Sequence, residues 1–197
     1  MASIAQTWRR VTRNDQLLLF FLAVMVGAAA GYGALLFRLL TAAIQTLFLG
    51  DGSEHVASIA RTLPWWHVVL APTAGGLLLG LLIRYVLPGR QPQGVAQVME
   101  ASALRSGRMS LHEGLAAAFV SAASIGCGAS VGREGPIVHL GATLASSVAR
   151  RLQLSAALAR TLLGCGVAAA IASAFNAPIA GVFFALEVVV GHYGLGA

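Results

Sequence analysis

The sequence predicts an all-α, polytopic membrane protein, and three observations lead to that fold class. First, 57% of the 197 residues are hydrophobic and only 10% are charged, with a mean hydropathy of +0.79, whereas soluble domains carry about 25% charged residues. Second, Leu17–Phe37 and Thr62–Ile83 are uncharged runs long enough to cross a bilayer as helices. Third, the later apolar segments are short and interrupted by glycine or proline. This composition excludes a disordered chain, a disulfide-stapled secreted domain and an ordinary cytosolic enzyme.

The net charge of +6 comes with 13 basic residues, all of them arginine, which lie between the apolar runs. That placement is typical of membrane topology and not of a nucleic-acid surface, which needs a soluble basic face. By the positive-inside rule, the basic N-terminal segment and residues 84–110 lie in the cytoplasm. Cys127 and Cys165 are expected to be small buried thiols, and no group of residues has the spacing of a metal site.

The expected elements begin with a short amphipathic helix at the membrane surface over residues 2–13. A long, tilted helix then starts at Leu17 and continues past Arg38 to about Leu49. A polar loop over residues 50–62 leads to the second span. The elements after it are a short helix between Gln93 and Leu104, an uncharged stretch from Gly114 to Gly132, and helices over Ile137–Val148, 155–175 and Pro178–Val190.

The interrupted helices are the first indication of transport. Lipid cannot satisfy the backbone groups of a broken helix, so such a helix must line a cavity or pack on protein. Ion sites in transporters are commonly built from the ends of such half-helices. Two small-xxx-small patterns, Gly27–Gly31 and Gly76–Gly80, predict close helix packing in the two long spans.

Glu134 is the strongest candidate for a functional side chain. It precedes Pro136, which suits the first position of a helix. The N–H groups and positive end of that helix can bind an anion, and the Glu134 carboxylate can occupy the same place. A mobile anion such as chloride would compete with the carboxylate, and protonation would release it. The alternative is that Glu134 only caps its helix, although intramembrane carboxylates are costly and commonly functional. Arg133 is either a salt-bridge partner or an electrostatic attractor for anions.

Two stretches resemble the signatures of the CLC chloride channel and antiporter family. Gly132-Arg133-Glu134-Gly135-Pro136, followed by an apolar helix, is similar to the family's GREGP element. Downstream, Gly164 opens a stretch that continues through Ala174-Phe-Asn-Ala-Pro-Ile-Ala-Gly181 and resembles the second signature. The two matches occur in the family's order, and the resemblance covers most of residues 16–192.

This resemblance implies a homodimer with one anion pathway per subunit, in which two inverted halves bring helix N-termini together near the membrane centre. Glu134 would be the gate and the proton acceptor on the extracellular side. The backbone N–H groups around Arg133 and Gly135, with the helix start at Pro136, would line the outer anion site. The implied partners are chloride or another small anion, protons, the lipid bilayer and a second copy of the chain.

The chain departs from the family pattern at two candidate sites. The family's Gly-Ser-Gly-Ile-Pro element aligns with residues 92–96, where Gln93 takes the place of the anion-binding serine and Gly94 follows it. The Gln93 amide can still donate to an anion, and a solvated glutamine is the alternative. Coupled antiporters of the family carry an inner carboxylate at the position that aligns with Val188 here. Glu187 aligns one residue before that position. Glu187 is therefore either structural or part of an inner proton pathway. The sequence is compatible with both a channel and an antiporter.

The resemblance divides the chain into an interfacial N-terminal helix, residues 1–15, and the N-terminal half of a CLC-type transmembrane domain, residues 16–197. The family's second half would supply a Gly-x-Phe-x-Pro helix start and a pore tyrosine, and neither occurs here, so we expect a fragment.

The leading hypothesis is voltage- or proton-gated anion transport across a bacterial inner membrane, without a cofactor, metal or enzymatic activity. The alternatives are a half-length partner subunit that does not transport, and a membrane-embedded enzyme with Glu134 as general base.

Overall fold

The structure is a computed structural model. It describes the backbone of residues 2–52, 58, 61–86 and 94–191, and the side chains of the same residues except 2–15, 86 and 190. Over these ranges the regular structure is helical throughout, which confirms the all-α fold class. In chain order the helices are α1 (Ala2–Leu49), α2 (Trp65–Val86), α3 (Val95–Leu104), α4 (Leu111–Gly126), α5 (Glu134–Arg151), α6 (Ala156–Phe175) and α7 (Pro178–Phe184), and a π-helical turn, Ala185–Val190, continues α7.

Among the described residues, three helices are long and apolar enough to cross a membrane: Gln16–Leu49 within α1, Trp65–Tyr85 within α2, and α6. One stripe of α1 is buried against the rest of the molecule because its apolar residues recur every three or four positions. The stripe consists of Leu22, Val26, Ala30, Ala34 and Phe37. The other face of α1 is also apolar but exposed, so it suits contact with lipid or further protein and not with water.

The centre of the molecule is the crossing of α5 and α6, which meet backbone to backbone at two glycines. A Cβ atom built on Gly141 would collide with the Gly166 carbonyl oxygen, and one built on Gly166 would lie 2.5 Å from the Gly141 carbonyl oxygen. Residues without side chains allow this approach. A core cluster that includes Val138, Leu163 and Val167 surrounds the crossing, and all three are 0% exposed. Helices α1, α3 and α4 pack against α5, and α1 and α7 pack against α6.

Short polar signals set the ends of the later helices. The Ser110 hydroxyl accepts a hydrogen bond from the Glu113 N–H at the start of α4, and Ser155 does the same at the start of α6. Helix α6 ends at Asn176, which adopts the left-handed conformation with φ 52° and ψ 37°. Pro178 then opens α7 as a first-turn residue. The predicted break is therefore a helix stop followed directly by a new start.

Several details differ from the sequence predictions. Helix α5 begins at Glu134 and not near Ile137, because the first turn needs no internal N–H donors and so accepts Pro136 as its third residue. The segment over residues 2–13 is the first part of α1 and not a separate helix. The Gly76–Gly80 pattern packs against nothing in the described part of the chain, since a Cβ on either glycine has no neighbour within 4 Å.

Candidate functional site

The candidate site starts at the first turn of α5. The Ile137 N–H donates to the Arg133 carbonyl oxygen at 3.3 Å, so the N–H groups of Glu134 and Gly135 have no acceptor within the helix. The side chain of Arg133, the N-cap residue, accepts no hydrogen bond from them either. These N–H groups and the helix macrodipole make the start of α5 attractive to an anion.

The Glu134 side chain is exposed and folds back beside the chain that precedes its own helix. A Cβ atom built on Gly132 would lie 2.8 Å from Glu134 Oε2. The carboxylate therefore occupies space that is available because residue 132 has no side chain. This places the negative group next to the helix start, as the sequence argument requires for a carboxylate that competes with a mobile anion.

A second helix start adjoins the first. A Cβ atom on Gly135 would lie 3.6 Å from the Cα atom of Gly94, the N-cap residue of α3. The Gly94 N–H donates to Gln97 Oε1 at 2.8 Å, which fixes the first turn of α3. Two positive helix ends therefore meet at a pair of glycines, and their potentials add. Gln93, the predicted anion ligand before α3, lies outside the described residues.

Arg133 is exposed and lines a cavity of about 500 Å³ between α1 and the segment that precedes α5. Arg38 and Gln45 from α1 line the same cavity. Neither Arg38 nor Gln45 is among the functional residues that the sequence predicts. Arg38 had a signal, because it is the single charged residue in the span Gln16–Leu49 and charges at membrane depth are commonly functional. Nothing in the sequence around Gln45, which is only 6% exposed, marks it as a functional residue.

Glu187 and Val188 face different surroundings. Glu187 is exposed in the π-helical turn, and its side chain has no hydrogen bond or ion pair with any residue that the structure describes. Val188 packs against the core cluster around Val138 and Val167. The inner proton pathway and the structural role of Glu187 both stay untested predictions.

His139 is the buried polar residue nearest to Glu134 along α5. Its side chain is 3% exposed, and its Nδ1 atom has no hydrogen-bond partner among the described residues. Its carbonyl oxygen accepts from Thr143 Oγ1 at 2.6 Å. The described ranges contain no group of histidine, cysteine, aspartate or glutamate that could hold a metal ion.

Comparison with known proteins decides the family. A family model described as "Voltage gated chloride channel" matches residues 75–197. The chain belongs to the voltage-gated chloride channel family. It is 40% identical over 174 residues to a putative chloride channel protein ClcB-like of Ralstonia nicotianae, a match that covers 86% of this chain and 40% of the relative.

Two relatives from enteric bacteria give a similar picture. The chain is 31% identical over 172 residues to a voltage-gated ClC-type chloride channel ClcB of Escherichia coli O139:H28, covering 86% of this chain and 41% of the relative. It is 30% identical over 174 residues to the ClcB of Yersinia pestis, with the same two coverages. The chain thus spans about two fifths of the length of the curated relatives it matches.

Family membership confirms the resemblance to the CLC family and fits the observed fold. A protein of this family with three candidate spans is an integral membrane protein. The matched relatives are named as chloride channels and not as enzymes. The roles of Glu134, Arg133, Gly135, Pro136, Gln93 and Gly94 are not decided by these comparisons.

Proposed function

We propose that this chain forms part of a protein that moves chloride or another small anion across the membrane, with Glu134 as its gate. The observation that carries this proposal is the Glu134 carboxylate beside the start of α5, where Gly135 adjoins the start of α3. The names of the matched relatives support chloride as the anion.

The gate works by competition between two negative groups. The N–H groups of Glu134 and Gly135 and the positive end of α5 attract either the Glu134 carboxylate or a chloride ion. Protonation removes the charge of the carboxylate and with it the attraction to the helix start. The anion then occupies the site unopposed, so acidic conditions increase flux. Gly135 and Pro136 contribute space and a fixed helix start, and Arg133 adds positive charge next to the gate.

The finer features of the proposal follow the family pattern. Glu134 takes up and releases a proton as it moves, which is the step that a coupled antiporter needs. Val188 in the inner carboxylate position favours a channel, and Glu187 is the remaining candidate for an inner proton acceptor. Two copies of the protein form a homodimer in the bacterial inner membrane.

The test is chloride flux from proteoliposomes that contain the protein encoded by the complete open reading frame around this chain. Chloride release after dilution into low-chloride buffer, absent in empty liposomes, is the expected result. Lack of release by well-folded protein would contradict transport. Simultaneous recording of external pH separates an antiporter, which moves protons with chloride, from a channel.

The chain spans about two fifths of the length of its relatives, so a second experiment tests the alternative that it is a half-length partner subunit which does not transport by itself. The 197-residue chain is reconstituted alone and again together with the part of the Ralstonia relative that the match does not cover. Flux that depends on the second chain indicates that this chain supplies one half of the pathway. In the complete protein, Gln93→Ser should change the preference between chloride and larger anions. Identical selectivity would show that Gln93 does not bind the anion.

A further inference from the structure

A second feature next to the gate is the cavity of about 500 Å³ that Arg38, Gln45 and Arg133 line. Arg38 comes from the last quarter of α1, and Arg133 precedes Glu134 directly. The cavity therefore joins the single charged residue of the apolar span Gln16–Leu49 to the segment that holds the proposed gate. Placing a guanidinium group at membrane depth is costly unless it has polar surroundings or a function.

The end of α1 turns back over this cavity. The Gly50 N–H donates to the Thr46 carbonyl oxygen at 2.9 Å, and Gly50 has a positive φ of 82°. Gly52 then approaches the last turns of α1 closely, since a Cβ there would lie 2.7 Å from the Ala42 carbonyl oxygen. Gly52 lines the cavity as well. This turn brings Asp51, an exposed carboxylate, next to the cavity.

The charges of the cavity decide which ligand it suits. Its lining residues include two guanidinium groups and a buried amide but no carboxylate. Two carboxylates are adjacent in sequence to lining residues: Asp51 precedes Gly52, and Glu134 follows Arg133. Their negative charges partly offset the positive charge of the two arginines. Arg38, Gln45, Asp51 and Arg133 each take part in a polar or electrostatic interaction. None of these four residues is therefore without a polar partner, and an anion that enters the cavity would join groups that already have polar neighbours.

We propose that this cavity is an anion-staging site, in which Arg38 raises the local concentration of chloride next to the Glu134 gate. Under the predicted topology, α1 starts in the cytoplasm, so the cavity lies in the external half of the membrane. Low-dielectric walls concentrate the field of the two arginines and attract small anions. Asp51 opposes this attraction. The inference rests on the proposed function, because it assigns a concentrating role to residues outside the gate itself.

The experiment measures chloride flux as a function of external chloride with the complete protein in proteoliposomes. Arg38→Gln should raise the half-saturating chloride concentration by about three- to tenfold, with unchanged flux at saturating chloride. Asp51→Asn should lower it. Addition of potassium gluconate should reduce both effects because salt screens the charges. Arg150→Gln, which removes an exposed charge at the other end of α5, is the matched control and should change nothing.

Arg38→Lys separates a role in concentrating anions from a purely structural one. Lysine keeps the charge but not the planar fork of five donors, so near wild-type half-saturation supports the staging site. Equal loss of flux at every chloride concentration in both Arg38 variants would overturn it, as would wild-type behaviour of Arg38→Gln. A wild-type protein without chloride flux would instead contradict the proposed function.

Discussion

The first turn of α5 and the body of the same helix differ sharply in their surroundings. Arg133 and Glu134 at the start are exposed, whereas Val138, Ala142 and Ala145 in the body are 0% exposed. The sequence changes after the first turn, from charged residues and glycines to mostly apolar residues. One helix therefore serves two purposes: its body fixes the helix in the core, and its open first turn presents N–H groups and a carboxylate. The body fixes the position of Glu134, the proposed gate, while the exposed Glu134 side chain has room to move.

The most severe predicted change affects the body. Gly141→Ala places a methyl group against the Gly166 carbonyl oxygen, which is backbone and cannot move aside. We expect a loss of about 3 kcal/mol in the free energy of unfolding, at the upper end of overpacking effects. The midpoint of thermal unfolding in detergent measures it. Gly76→Ala is the matched control, because its methyl group meets nothing within 4 Å and alanine favours a helix by up to about 1 kcal/mol over glycine. An unchanged midpoint in Gly141→Ala would contradict the close crossing of α5 and α6.

The next largest change affects Glu134, the proposed gate, and not the core. In Gly132→Ala, the new methyl group would lie 2.8 Å from Glu134 Oε2, so the flexible carboxylate must move. We expect the pH dependence of chloride flux to shift while the unfolding midpoint stays within a few degrees of the wild-type value. Gly80→Ala serves as control, since its surroundings are open. Wild-type pH dependence in Gly132→Ala would show that the carboxylate does not work from this position.

A smaller change is expected at the neighbouring helix start. Gln97→Leu removes the acceptor of the Gly94 N–H at nearly the same side-chain volume. The loss of one capping interaction should cost about 1 kcal/mol of unfolding free energy. Chloride flux should decrease only modestly, because the α5 helix start is intact. A loss of flux as complete as in a misfolded variant would instead mean that the start of α3 is itself essential for transport.

The smallest change is expected at the surface of α3. Arg105 pairs with Glu100 at 2.7 Å, but the two side chains are 65% and 45% exposed. Solvent screens such pairs, so Arg105→Gln should change the unfolding free energy by less than about 0.5 kcal/mol. Chloride flux should match that of the wild type. A clear loss of stability would show that the pair is shielded from water, as it would be by lipid or a further part of the protein.

The positions of most helices could be predicted from the sequence, because the length and hydropathy of a helix depend on local composition. Helix α6, the continuation of α1 to Leu49 and the stop at Asn176 all follow from runs of apolar residues and from turn chemistry. The candidate position of Glu134 at a helix start also follows from local signals, namely the flanking glycines and Pro136. The exact first residue of α5 does not, because a first-turn proline is compatible with more than one start.

Contacts between distant segments could not be predicted in the same way. The glycines that meet, Gly141 and Gly166, carry no stronger local signal than Gly76 and Gly80, which meet nothing in the described chain. The adjacency of Gly94 and Gly135 and the shared cavity of Arg38 and Arg133 depend on how the helices pack. Only the cost of a charge in an apolar span marked Arg38 in advance.

We propose that the Glu134 carboxylate competes with an anion at the start of α5, and the variant Glu134→Gln removes only the charge of that carboxylate. Glutamine has nearly the same shape but stays neutral, so it reproduces the protonated gate. Chloride flux from proteoliposomes is recorded over a range from acidic to neutral pH for the wild-type protein and the variant. We expect wild-type flux to rise as the pH falls and the variant to show high flux at every pH. Flux in Glu134→Gln that retains the pH dependence of the wild type would contradict this proposal.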